Sequence, residues 1–101
     1  MMMGREGTRA NKENKMTLTA ANAHNLLPAH DLLGGQRYAD TFVTAGNAAS
    51  EVARLLDGAT TRGALRFLAA VIIGAGNNGH IGEVDAFDCL DHVCGLLAVR
   101  A

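Results

Sequence analysis

The stretch RYADTFVTAGNAASEVARLLD (37–57) decides how this chain is read. Within it Tyr38, Phe42, Ala45, Ala49, Val52 and Leu56 recur at spacings of 4, 3, 4, 3 and 4. Such spacing gathers apolar side chains on one face of an α-helix as a heptad seam. Asp40, Asn47, Glu51 and Arg54 fall off the seam, and Asp57-Gly58 supplies a stop. Ala45 and Ala49, in its middle, are small enough to let another helix approach closely. The pattern predicts one long helix over 37–57.

On its C-terminal side, Thr60 or Thr61 is placed to cap a helix from about Arg62 to Ile73. Leu65, Leu68 and Ile72 mark one stripe, and Ala64, Phe67 and Val71 another, so apolar residues cover most of the circumference. That suits a central, buried helix. The β-branched run Val71-Ile72-Ile73 also reads as a buried strand over 69–73, but length and pattern favour helix. Residues 74–79 have the composition of a loop. A last helix is expected from Ile81 or Glu83 to Val99, with a stripe of Phe87, Leu90, Cys94 and Leu97 extended by Val84 and Val93. Acids in its first turn suit the positive end of the helix dipole, and Arg100 suits the other end.

On the N-terminal side, Thr17 or Thr19 can cap a short helix carrying Leu18, Ala21, Leu26 and Leu27. Pro28 opens a second short turn to Leu33, which Gly34-Gly35 ends. The leading MMMGREGTRANKENK (1–15) shows no periodicity and reads as a disordered extension to a single helical domain over 16–101. Both lysines lie there, which marks Met16 as a candidate natural start. No internal repeat shows.

Length and composition bound the class. The 101 residues make one domain rather than two. The apolar share of 49% with only 4% aromatic and no Trp implies a core of Leu, Val, Ile and Ala. Such a core is modestly stabilising at roughly 25 cal/mol per Å² buried, which favours self-association. The net charge of −1 argues against direct nucleic-acid binding. It divides unevenly, +2 before Met16 and −3 from there on. Neither a secretory signal nor a run long enough to span a bilayer is visible. Cys89 and Cys94 sit about 140° apart on a helix and cannot easily bridge, so a reducing, cytoplasmic setting with packed thiols is expected.

Three patterns bear on chemistry. Gly74, Gly76 and Gly79 in AVIIGAGNNG (70–79) resemble the Gly-x-Gly-x-x-Gly fingerprint of Rossmann dinucleotide-binding proteins. The resemblance implies a strand, a glycine turn and a helix N-terminus holding a pyrophosphate, with Gly74, Gly76, Asn77, Asn78 and Gly79 as ligand-binding residues. The fold also needs further parallel strands, and none follows; the competing reading is a connector between helices with Gly74 just past a helix end. Asp85, Asp88 and His92, at i, i+3 and i+7, share one helix face. They suggest a metal site only if His24, His30, His80 or a second chain completes it; otherwise His92 pairs with Asp88 or Asp91 on a solvated face. Cys89 and His92 are neighbours on one helix, but a packed thiol is the expected reading, not a nucleophile.

The expectation is therefore an all-α bundle of three main helices plus one or two short N-terminal turns. Functionally it is a small non-enzymatic interaction protein (an adaptor, inhibitor or regulator, of the kind mobile elements use against host enzymes). Its partner would be a protein, met through Asp85, Asp88, Asp91 and His92, an acidic set that can also compete for a basic nucleic-acid groove. Homodimerisation is expected through Tyr38, Phe42, Ala45, Ala49 and Val52. No cofactor, metal or catalytic residue is assigned. A nucleotide or small-ligand binder using 74–79, and a metal-dependent enzyme using Asp85, Asp88 and His92, are the alternatives.

Overall fold

The structure is a computed structural model and describes residues 18–99; the expectations for 1–15, Met16, Thr17 and Arg100 lie outside them. Among the described residues five helices follow in chain order: α1 (Ala23–Leu26), α2 (Ala29–Phe42), α3 (Ala48–Gly58), α4 (Arg62–Asn77) and α5 (Glu83–Val99). Among the described residues there is no strand, and 69–73 is helical. The chain is an all-α bundle.

Its centre is α4. Leu65, Leu68, Val71 and Ile72 have no exposed surface, as expected of a helix apolar on nearly every side. Each of the other four helices packs on it, α2 most extensively and α5 next. Thr61 starts it: the hydroxyl oxygen accepts from the Ala64 N–H at 3.1 Å, satisfying one of the orphan amides of the first turn. Arg62, one residue on, donates to the Leu97 carbonyl at 2.6 Å and ties the start of α4 to the last turn of α5.

The division into helices differs from expectation in three places. First, the 37–57 seam is two helices. Val43 turns to an extended backbone, and Asn47 organises the break. Its Oδ1 accepts from the Thr44 N–H at 2.7 Å, and its Nδ2 donates to the Phe42 carbonyl at 3.0 Å. These side-chain bonds offer the backbone partners that helix would otherwise supply. Second, Gly34-Gly35 ends nothing: α2 runs straight through to Phe42. Third, α4 does not stop at Ile73 but includes Gly74 and Gly76.

One crossing explains the second and third differences. A Cβ on Gly35 would lie 2.4 Å from the Ala70 carbonyl carbon and 2.7 Å from the Val71 nitrogen. A Cβ on Gly74 would lie 3.0 Å from the Gln36 Cα and 3.1 Å from the Ala39 Cβ. Missing side chains let α2 and α4 meet backbone to backbone, and the packing gained offsets the roughly 0.5–1 kcal/mol that glycine costs inside a helix. The real terminator of α4 is Gly79, at φ +76°. The His80 N–H reaches the Ala75 carbonyl at 2.9 Å and the Gly79 N–H reaches Gly76 at 3.0 Å. That pair of bonds is the Schellman arrangement.

A short paired motif also emerges. TAANA (19–23) and TAGNA (44–48) fold alike. In each the Thr N–H donates to the Asn Oδ1, at 2.6 and 2.7 Å, and the Asn N–H returns to the Thr carbonyl, at 3.1 and 3.2 Å. The final Ala then starts a helix and is buried, Ala23 under α1 and Ala48 under α3. On α5 the buried set is Ala86, Leu90, Val93, Cys94 and Leu97. Val84 and Phe87, expected on that stripe, are instead 73% and 46% exposed.

Candidate functional site

Asp85, Asp88, Asp91 and His92 all lie exposed on the side of α5 turned away from α4. Between Asn78 and Val99 the chain has four acids and no Lys or Arg. The ion pairs among the described residues are elsewhere: His30–Asp31, Arg66–Asp31 and Arg54–Glu51. The pairing of His92 with Asp88 or Asp91 does not form. Nor do Asp85, Asp88 and His92 come together with another histidine: among the described residues no group of three or more His, Cys, Asp or Glu is arranged to hold a metal ion.

Both cysteines are free, Cys94 buried and Cys89 half-buried. Burial pushes both thiols up from their ordinary pKa; Asp85 and Asp88 add to this at Cys89, and Asp91 at Cys94. A nearby negative charge and a poor solvent both disfavour the thiolate, the form a nucleophile needs.

Glycines 74, 76 and 79 do not form a phosphate-binding turn. Gly74 is buried under α2, and Gly76 faces Ala86 of α5. The strand that the dinucleotide fingerprint requires is the interior of α4. Asn77 and Asn78 are exposed, and their amides serve the α2–α4 junction. Asn78 Nδ2 donates to Asp40 at 2.7 Å, and Gln36 Nε2 donates to the same Asp40 oxygen at 2.8 Å. These bonds hold the Asp40 carboxyl below its ordinary pKa, Asn78 contributing most.

The expected dimer residues part company. Tyr38 and Phe42 join an aromatic cluster on α2, with ring centroids 4.8 Å apart and Phe67 edge-on to Tyr38 at 5.6 Å. The Tyr38 hydroxyl donates to Glu51 at 2.8 Å, and Arg54 donates to both, which locks α2 to α3 across the 43–47 turn. The Arg54 hydrogen bond, then that from Tyr38, lowers the Glu51 pKa. Burial, then Glu51, raises that of Tyr38. Ala45, Ala49 and Val52 lie elsewhere, on a groove of about 520 Å³ whose opposite wall carries Asp85, Asp88 and Cys89. A second groove, about 510 Å³, lies between the first TAxNA turn and α5, where Ala20, Ala21 and His24 face Phe87 and Leu90.

The groove residues Ala48 and Ala53, and the Gln36–Asp40–Asn78 bonds, were not anticipated from the sequence, and Leu56 was anticipated only as part of the seam. The paired TAxNA segments were the available signal, since each places a helix beside a flank of α5.

No protein-family model matches this chain, and neither a curated protein nor a solved structure matches it significantly. No helix among the described residues is long and apolar enough to cross a membrane.

Proposed function

We propose that this chain is a non-enzymatic helical interaction protein, an adaptor, inhibitor or regulator that acts by holding a partner protein against α5. One observation carries the reading. Asp85, Asp88 and Asp91 form an acid-only exposed face, uncompensated by any cation between Asn78 and Val99. Like charges gathered this way oppose one another in the free protein and favour a basic partner, by steering its approach and by relieving the repulsion. The free, packed cysteines suit a reducing compartment, and the reading places the protein in the cytoplasm.

The test is cross-linking of the tagged chain in its native cell, followed by mass spectrometry of the joined peptides. Cross-linked partners should map to α5 and disappear when Asp85, Asp88 and Asp91 are all changed to Lys. Partner capture indifferent to that triple reversal would reject the acidic face.

A further inference from the structure

We propose that the groove between α3 and α5 receives a basic, amphipathic α-helix of a partner protein, its apolar side on Ala49, Val52 and Ala53 and its cations toward Asp85 and Asp88. The proposal rests on the acidic-face reading above and sharpens it. The two walls of the groove differ in chemistry. On α3, Ala48, Ala49, Val52, Ala53 and Leu56 recur at i, i+1, i+4, i+5 and i+8, a continuous stripe along one side of the helix. Four residues of the lining are alanines. Small side chains on a helix let a second helix backbone come close, which is how α2 and α4 already meet in this fold. At about 1.5 Å per residue, α3 offers roughly 16 Å of wall, room for about three turns of a visiting helix. Recognition by anchors at i, i+3, i+4 and i+7 fits such a trough.

On α5, Asp85 and Asp88 stand at i, i+3 on the opposite rim. The nearest arginine on α3, Arg54, projects from the other side of that helix and is committed to Glu51 and Tyr38. Among the described residues the rim has no counter-charge. His80 lines the same groove, and its Nδ1 is buried with no hydrogen-bond partner. A buried polar atom left unpaired is costly.

The described surface of a second copy offers little charge to match this rim. Of the arginines among the described residues, Arg54 holds Glu51, Arg62 holds the Leu97 carbonyl and Arg66 holds Asp31. Among those described arginines Arg37 alone is uncommitted, one cation for two carboxylates. A partner bearing two or more Lys or Arg on the flank of its apolar stripe matches better.

The experiment uses the full chain, labelled with nitrogen-15, and two synthetic helical peptides of about fifteen residues. One carries a Leu/Ala face flanked by Lys, and the other has every Lys replaced by Glu. The Lys peptide should shift the amide signals of Ala49, Val52, Ala53, Asp85, Asp88 and Cys89, and the Glu peptide should not. Asp85→Lys with Asp88→Lys should weaken binding at least tenfold. Ala53→Leu, at an exposed position, should fill the trough and weaken binding by a similar factor while the rest of the spectrum stays in place. Shifts confined to Asp91 and His92 would overturn the groove and leave the acidic face standing. Absence of shifts anywhere would sink both. Concentration-dependent shifts at the groove without peptide would make a second copy the occupant and overturn the proposal.

Discussion

Replacing Gly35 by Ala should destabilise the protein even though alanine is the better helix former. Inside an isolated helix the change favours folding by about 1 kcal/mol. Here the new methyl would sit 2.4 Å from the carbonyl carbon and Cβ of Ala70, against ordinary contact beginning near 3.4 Å. The obstacle is largely the backbone of α4, which has no rotamer to yield, so α2 must retreat by about 1 Å along the crossing. Overpacking of this kind costs typically 1–3 kcal/mol, and a rigid obstacle belongs at the upper end. After the propensity gain is subtracted, the net loss is about 2 kcal/mol, a fall in Tm of about 10 °C for a chain of this size. Gly95→Ala is the internal control. Gly95 lies at an exposed position in the C-terminal half of α5, with nothing within 4 Å of its would-be Cβ. It should gain about 1 kcal/mol, roughly 5 °C. Urea and thermal unfolding followed by circular dichroism at 222 nm read both. Two variants stabilised alike would refute the close crossing.

Thr61→Ala removes the acceptor for the Ala64 N–H and should cost about 1 kcal/mol in the same unfolding assay. Leu65→Ala, at a fully buried position, should cost about 2–5 kcal/mol, and a loss below 1 kcal/mol would show that α4 is not the centre of the core. Asp40 and Glu51 are both held below their ordinary values of 3.8 and 4.5. The folded state therefore favours their charged forms, so their contribution is complete above the ordinary values and disappears as pH falls through the lowered ones. Urea midpoints should drop through this acid window, less steeply in Asp40→Asn; an unchanged slope would contradict the Asn78 and Gln36 bonds. Alkylation at pH 7 should be slower at Cys89 than at a free cysteine and slower again at buried Cys94, and modification of both at the free rate would contradict their packing.

Much of α4 was legible because its information is local: an apolar residue on nearly every side, and a threonine at the correct offset to cap the first turn. The span of α5 was legible for the same reason. The break at 43–47 was not. The apolar spacing of 4 and 3 persists through it, while a single asparagine, Asn47, redirects the backbone with bonds that periodicity does not register. Glycines 34, 35 and 74 misled in the opposite sense. Local propensity reads them as stops, yet Gly35 and Gly74 are there for a neighbour forty residues away in the chain. At the candidate site, the exposure of Asp85, Asp88 and Asp91 could be read from their common helix face. The meeting of Asp85 and Asp88 with Ala49 and Val52 could not, since it depends on where α3 and α5 land on α4. The exposed Phe87 shows the same limit: it shares a helical stripe with Leu90, yet only Leu90 is buried.

The bundle is centred on α4, and its most extensive contact is the α2 crossing at Gly35 and Gly74. Interproton distances from nuclear Overhauser spectra measure that crossing directly. Strong contacts from the Gly35 α-protons to Ala70 and Val71, and from those of Gly74 to Gln36 and Ala39, are the predicted result. Missing contacts at those pairs, or a strand-like sequential pattern over 69–73, would contradict it.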